Sequence, residues 1–186
     1  MNKEGFRVYL RALEPEDYKV SIRWRKDEEI WDMLVGRKYY VSEEYERQWV
    51  LDVIQGKYEK VVLAVCLKEN DSYIGNVYLN NIDWFNKNAS SAILMGDRQF
   101  WGRGYGTEVI VLMLYHAFYD LGLQRIQARQ LLSNKASIKT YEKCGFISEG
   151  VLRRAVYKDG GYQDLNLMSI IREDFDEILK KRGLNK

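Results

Sequence analysis

Three glycines stand at alternate positions in Gln99-Phe100-Trp101-Gly102-Arg103-Gly104-Tyr105-Gly106-Thr107, with Arg103 between the first two. Glycine tolerates positive φ, so successive backbone N–H groups can turn into one concavity that suits an anion. The apolar run Ala92-Ile93-Leu94-Met95 precedes this stretch and reads as a strand. Glu108 to Leu121 follows without Gly or Pro and reads as a helix. Its free N-terminal N–H groups and partial positive charge add to the cradle. The expected guest is a phosphate or pyrophosphate, with Arg98 or Arg103 as a charged contact. Two common phosphate loops do not fit. The dinucleotide fingerprint needs G-x-G-x-x-G and an acid about 20 residues on. Here the spacing is G-x-G-x-G, and Gln124 to Ala128 stands where that acid would fall. The Gly-Lys-Ser/Thr of a nucleoside-triphosphate loop is absent.

Other chemistries are excluded by what the chain lacks. His116 is its only histidine, which rules out a histidine metal cluster and argues against a Ser–His triad. No metal is expected. Cys66 and Cys144 are too few for a disulfide framework and are expected to be reduced. A net charge of +2 argues against a dedicated nucleic-acid surface. The first residues lack the apolar core of a signal peptide, and the longest apolar run, Val109 to Leu114, is far short of a bilayer span. A cytoplasmic protein with no membrane partner is expected. With 186 residues, a single domain over 1–186 is the default.

The elements that must position the glycine loop follow from pattern. Phe6 to Leu13 alternates like a strand. Glu14-Pro15-Glu16-Asp17 starts a helix that reaches Trp24 or Arg25, and Ser42 caps a second that ends near Gly56. An irregular segment is expected between them. Strands are predicted at Val61 to Leu67, Tyr73 to Ile82 and Ser90 to Met95, then the long helix, then a strand at Gln124 to Leu132. Ser133-Asn134 caps a short helix that ends at Cys144-Gly145. Two strands flank the hairpin turn Lys158-Asp159-Gly160-Gly161, and Asp174 to Arg182 reads as a final helix. The order is βααβββαβαββα. Short turns imply antiparallel pairs, and strand–helix–strand implies a parallel crossover. The fold class is α/β, a mixed sheet with helices on both faces.

The segment Asn134-Lys135-Ala136-Ser137-Ile138-Lys139-Thr140-Tyr141-Glu142-Lys143-Cys144-Gly145-Phe146 is more specific than the loop. It resembles the N-x-x-[AS]-x-x-x-Y-x-x-x-G-F segment of the GNAT superfamily of acyl-CoA N-acyltransferases. The order Gln-x-x-Gly-x-Gly resembles that family's pyrophosphate loop, and the two motifs stand in the family's order. Arg11 to Asp17, Glu149 to Arg153 and Gly161 to Asp164 resemble the branch that acetylates ribosomal-protein N-termini and polyamines. The resemblance covers about Phe6 to Ile171.

The resemblance implies a three-layer α/β/α fold with a mainly antiparallel, splayed sheet. It implies acetyl-CoA as co-substrate and direct transfer of the acetyl group to a primary amine, in a ternary complex. Leu94, Met95, Gly96, Arg98, Gln99, Gly102, Arg103, Gly104, Tyr105, Gly106, Thr107, Asn134 and Ser137 are the expected cofactor-binding residues. A backbone N–H near Leu94 to Gly96 is the candidate oxyanion donor. Tyr141 is the candidate acid for the leaving thiolate. Many relatives carry a glutamate as base on the strand before the loop, but here Ser90 or Ser91 takes its place. A water chain, Asp83, Glu149, or an amine with a lowered pKa remain as sources of deprotonation. Asp27 to Glu46 carries seven acids against two bases, Arg37 and Lys38, together with Trp31, Tyr39, Tyr40 and Tyr45. Glu28, Glu29, Trp31, Asp32 and Tyr39 are therefore the expected acceptor contacts for a cationic amine. The acceptor alternatives are a polyamine, a protein N-terminal amine, an amino sugar and an aminoglycoside. A homodimer is left open. The competing class is a catalytically silent acyl-CoA sensor.

Overall fold

The computed structural model describes residues 4–36, 39–57 and 59–184. Arg37 and Lys38, counted above, lie outside the described residues. Seven strands form one sheet in the order β1-β2-β3-β4-β5-β7-β6: β1 Val8–Arg11, β2 Val61–Leu67, β3 Tyr73–Asp83, β4 Asn88–Met95, β5 Arg125–Leu131, β6 Ile147–Lys158 and β7 Gly161–Ile171. All neighbours are antiparallel except β4 and β5. That parallel pair is joined through helix α4, Tyr105–Tyr115, as a crossover requires. The other helices are α1 Tyr18–Arg25, α2 Glu28–Met33, α3 Glu43–Ile54, α5 Lys135–Lys143 and α6 Arg172–Lys181.

Two apolar clusters cover the two faces of the sheet. The larger packs α4 and α6 with Ala89, Ile126, Ala128 and Tyr141. The smaller packs Trp24, Ile30 and Val50 from α1, α2 and α3 with Val62, Ala64 and Leu94. The expected mixed α/β architecture is present, with three differences in its elements. Pro15–Asp17 is a separate 3₁₀ turn ahead of α1. The segment expected to be irregular contains α2, capped by Asp27, whose carboxylate accepts from the Glu29 and Ile30 N–H groups. The observed order is therefore βαααβββαβαββα. The long helix begins three residues earlier than expected, at Tyr105, and widens to a π-helix over His116–Asp120.

Two glycines set the end of β4. A Cβ on Gly75 would stand 2.3 Å from the Leu94 carbonyl oxygen, and one on Gly96 would stand 2.0 Å from the Trp24 indole. The Gly96 N–H donates to Ile74 O at 2.8 Å, which closes the sheet there. Gly96→Ala is expected to overpack Trp24 at a cost of about 1–3 kcal/mol, read as a lowered denaturation midpoint with unchanged m.

Candidate active site

β4 and β5 pair only from Asn88–Ser91 against Arg125–Ala128. Beyond that rung Ala92–Met95 and Arg129–Leu131 diverge, and a cleft of about 1010 Å³ opens between them. The expected splay is therefore real, and it starts one residue past Ser91. Strand alternation sends Ser91 and Gln130 to the α4–α5 face and Arg129 to the opposite face.

Tyr141 lines the cleft from α5 while remaining 2% exposed. Its hydroxyl lies 3.0 Å from Ser91 Oγ, and its ring meets Phe146 edge-on at 4.8 Å. Of the two serines left open by sequence, Ser91 is the one beside Tyr141. Ser90 points the other way and accepts from Gln127 Nε2. Burial pushes the Tyr141 phenol well above its ordinary pKa, and the Ser91 bond only partly opposes this. The phenol is therefore held in its proton-bearing form at physiological pH.

Gly102 and Gly104 have φ of +71° and +86°, the left-handed conformation that the cradle reading requires. Gly104 is the N-cap of α4 and brings no side-chain acceptor to the first-turn N–H groups. Arg7, which sequence reasoning missed, fixes this loop from β1's approach. Its Nη2 donates to Arg103 O at 2.9 Å, its Nε donates to Glu108 Oε1 at 2.7 Å, and its guanidinium lies 3.9 Å from the centre of the Tyr105 ring. No local pattern marks Arg7; only the tertiary pairing does.

The remaining expected cofactor residues are placed as follows. Leu94, Met95, Gly106, Asn134 and Ser137 line the cleft. The Thr107 carbonyl accepts from Cys144 Sγ at 3.6 Å. Gly96 has its N–H committed to Ile74, and strand alternation turns the Leu94 N–H toward Asn76 on β3 in the same way, so of the three candidate oxyanion donors Met95 alone turns its N–H toward the split. Gln99 turns back to Asp97. Arg98 pairs with Asp27 at 3.1 Å and with Glu29, away from the glycine loop, which leaves Arg103 as the loop's own cation. Asn134 caps α5 through Ser137 N–H at 2.9 Å and also donates Nδ2 to Met33 O at 3.0 Å. Lys158, from the end of β6, donates to Leu34 O at 3.1 Å and to Trp31 O. Asn134 and Lys158 therefore fasten the C-terminal end of α2 and the start of the strap that follows it.

Gln130 is the other residue that sequence reasoning missed. It lines the cleft at 3% exposure, and neither Nε2 nor Oε1 has a hydrogen-bond partner among the described residues. A buried carboxamide left unpaired is costly, and it fits a ligand that brings amide groups. Together, the split sheet, the glycine turn and this orphaned amide suit a long, amide-bearing, phosphorylated thioester.

The acceptor side differs from expectation. Trp31 and Tyr39 line the cleft, but Glu28, Glu29 and Asp32 do not. Glu29 is held by Arg98, and Glu46 is buried at 1% exposure against Ser21 and Arg25. Three of the seven acids, Asp27, Glu29 and Glu46, are thus engaged by residues distant in the chain. Nor do the two carboxylates considered as bases fit. Arg125, then Ser169, hold Glu149 down to about 2, and backbone and side-chain bonds from Asn86 hold Asp83 below its ordinary value. Neither lines the cleft. Burial pushes Cys144 up to about 12, so its thiol packs rather than attacks. His116 pairs with Asp120 at 2.7 Å. Among the described residues no group of three or more His, Cys, Asp or Glu could hold a metal, and no helix is long and apolar enough to cross a membrane.

A split sheet with a glycine turn at a helix start and a buried tyrosine across the gap defines an acyl-CoA-dependent N-acyltransferase architecture. Residues 7–147 match the acetyltransferase (GNAT) domain family, and the chain belongs to that family. It is 29% identical over 173 residues to a prophage-derived uncharacterized N-acetyltransferase, YokL, of Bacillus subtilis, covering 92% of this chain and 94% of that protein. It is 25% identical to the spermidine N(1)-acetyltransferase of Vibrio cholerae, covering 89% and 94%. The crystal structure of a spermidine N-acetyltransferase from Vibrio cholerae, in complex with CoA and spermine, superimposes with a TM-score of 0.82 at 24% identity, over 91% of this chain and 98% of that one.

Proposed function

We propose that the protein transfers an acetyl group from acetyl-CoA to a primary amine by direct attack within a ternary complex. The observation that carries this reading is the buried Tyr141 hydroxyl in the wall of the split between β4 and β5. The pyrophosphate belongs on the Gly102–Gly106 turn and the α4 N-terminus. The pantetheine amides belong between the diverging strands, where they pair as a peptide pairs with a sheet edge. Tyr141 donates its proton, or a hydrogen bond, to the thiolate that leaves as the C–S bond breaks and the C–N bond forms. The Met95 N–H, which points away from β3, faces the negative charge that develops on the carbonyl oxygen.

The first test is binding. CoA at millimolar concentration should raise the melting temperature by ligand linkage, and acetyl-CoA with an amine panel should release free thiol. Absence of any shift would end the reading. A CoA shift without thiol release across the panel would favour the silent sensor, which the lack of a carboxylate in the described cleft lining keeps in play.

Gln130 supplies a second test with two opposite signs. Gln130→Leu removes an unpaired buried amide, so the free protein should gain about 1–3 kcal/mol of stability. The same change should weaken acetyl-CoA binding about tenfold if the carboxamide pairs with the donor's amides. Stability and affinity falling together would show that Gln130 instead serves the core.

A further inference from the structure

The charged groups that line the cleft are Arg25, Lys60 and Arg129, and among the described residues no Asp or Glu joins them. Two aromatic faces in the lining, Trp31 and Trp49, already carry cations. The Arg25 guanidinium lies 5.7 Å from the Trp31 ring and 5.4 Å from the Trp49 ring, and the Lys60 ammonium lies 5.6 Å from Trp49. Glu46 neutralises Arg25 at 2.9 Å from outside the cleft lining. Arg129 makes no hydrogen bond or ion pair among the described residues. It stands on β5 one residue past Ala128, the last residue paired with β4, where the split begins.

A polyamine brings two or more positive charges into this chamber and finds no carboxylate among the described lining residues. A monoamine that also bears a carboxylate finds Arg129, whose planar fork matches a carboxylate bidentately. Ile30, Leu34 and Val35 line the same chamber and suit an apolar body. Resting on the acyltransferase reading, we propose that the acceptor is a zwitterionic small molecule, a primary amine on an apolar or aromatic body with a carboxylate held by Arg129. The positive surroundings serve the chemistry as well. Burial first, then Arg25, lower the Lys60 ammonium below the ordinary lysine value. The same surroundings favour the neutral form of an incoming amine, which must lose its proton before it attacks and meets no carboxylate among the described lining residues to take it.

The experiment compares phenylalanine and leucine with their decarboxylated amines, phenethylamine and isoamylamine, and with spermidine. Thiol release from acetyl-CoA is the readout. The amino acids should show the highest kcat/KM, with a KM that rises with salt. In Arg129→Gln the ratio of kcat/KM for phenylalanine over phenethylamine should fall about tenfold or more, the loss of one charge-assisted contact, and Arg129→Lys should restore part of it. A kcat/KM for spermidine or a decarboxylated amine equal to or above that of the amino acids overturns the proposal, as does an unchanged ratio in Arg129→Gln or no turnover of either amino acid. If CoA still raises the melting temperature in those cases, only the acceptor assignment fails. If CoA gives no shift, the donor reading fails with it.

Discussion

Replacing Tyr141 by Phe should lower turnover by about 10² or more, with acetyl-CoA binding little changed. The ring and its edge contact with Phe146 survive the change, so only the hydroxyl is lost. Among the described residues that hydroxyl has one partner, Ser91 Oγ at 3.0 Å, and both groups are buried. The variant therefore leaves a buried serine hydroxyl without that partner, at a cost of about 1–3 kcal/mol in stability. The double variant Ser91→Ala/Tyr141→Phe removes both groups and should recover much of that stability while staying as inactive as the single change. Recovery of turnover with stability would assign Tyr141 to packing. Because burial raises the phenol's pKa, the wild-type pH profile should show no tyrosine ionisation below about pH 10. An alkaline fall in activity below that pH would contradict a proton-bearing Tyr141, whereas a rise there reports the amine losing its proton.

The second large effect is expected at Gly104. Its φ of +86° is strained for any side chain, and a Cβ there already meets the Arg7 guanidinium at 3.4 Å. Gly104→Val should collapse the turn that presents N–H groups to the pyrophosphate and abolish the CoA-dependent rise in melting temperature. The variant's own melting temperature without CoA separates a lost site from a lost fold. A folded Gly104→Val that still shifts with CoA would remove the phosphate from this loop. Arg7→Ala should weaken the same shift in part, since it leaves the glycines but removes the bond to Arg103 O and the pairing with Glu108.

What was legible in the chain was whatever a short window carries. The Gly102–Gly106 spacing, Asn134 as a cap, Gly145 at positive φ after α5 and the apolar run of β2 are local signals, and each reads as expected. The α2 helix was missed because it is short. Its cap and acidic first turn were visible, but Ile30 and Trp31 are adjacent and show no helical period. The pairing of Asp27 and Glu29 was not legible because their partner, Arg98, lies far along the chain. A window cannot distinguish a carboxylate waiting for substrate from one already paired. Arg7, Gln130 and Arg129 escaped for the same reason, since a lone Arg or Gln in an alternating strand carries no signature until the sheet is assembled.

The strap across the cleft has an evolutionary implication. Asn134 and Lys158 fasten it through the carbonyls of Trp31, Met33 and Leu34, groups that every residue type possesses. The side chains at Met33, Leu34 and Val35, which line the chamber, are left out of the fastening. Substitution there can reshape what the chamber accepts without loosening what holds it in place. Acceptor choice and anchorage are thus inherited on separate atoms of the same few residues, and a lineage can change the first while keeping the second.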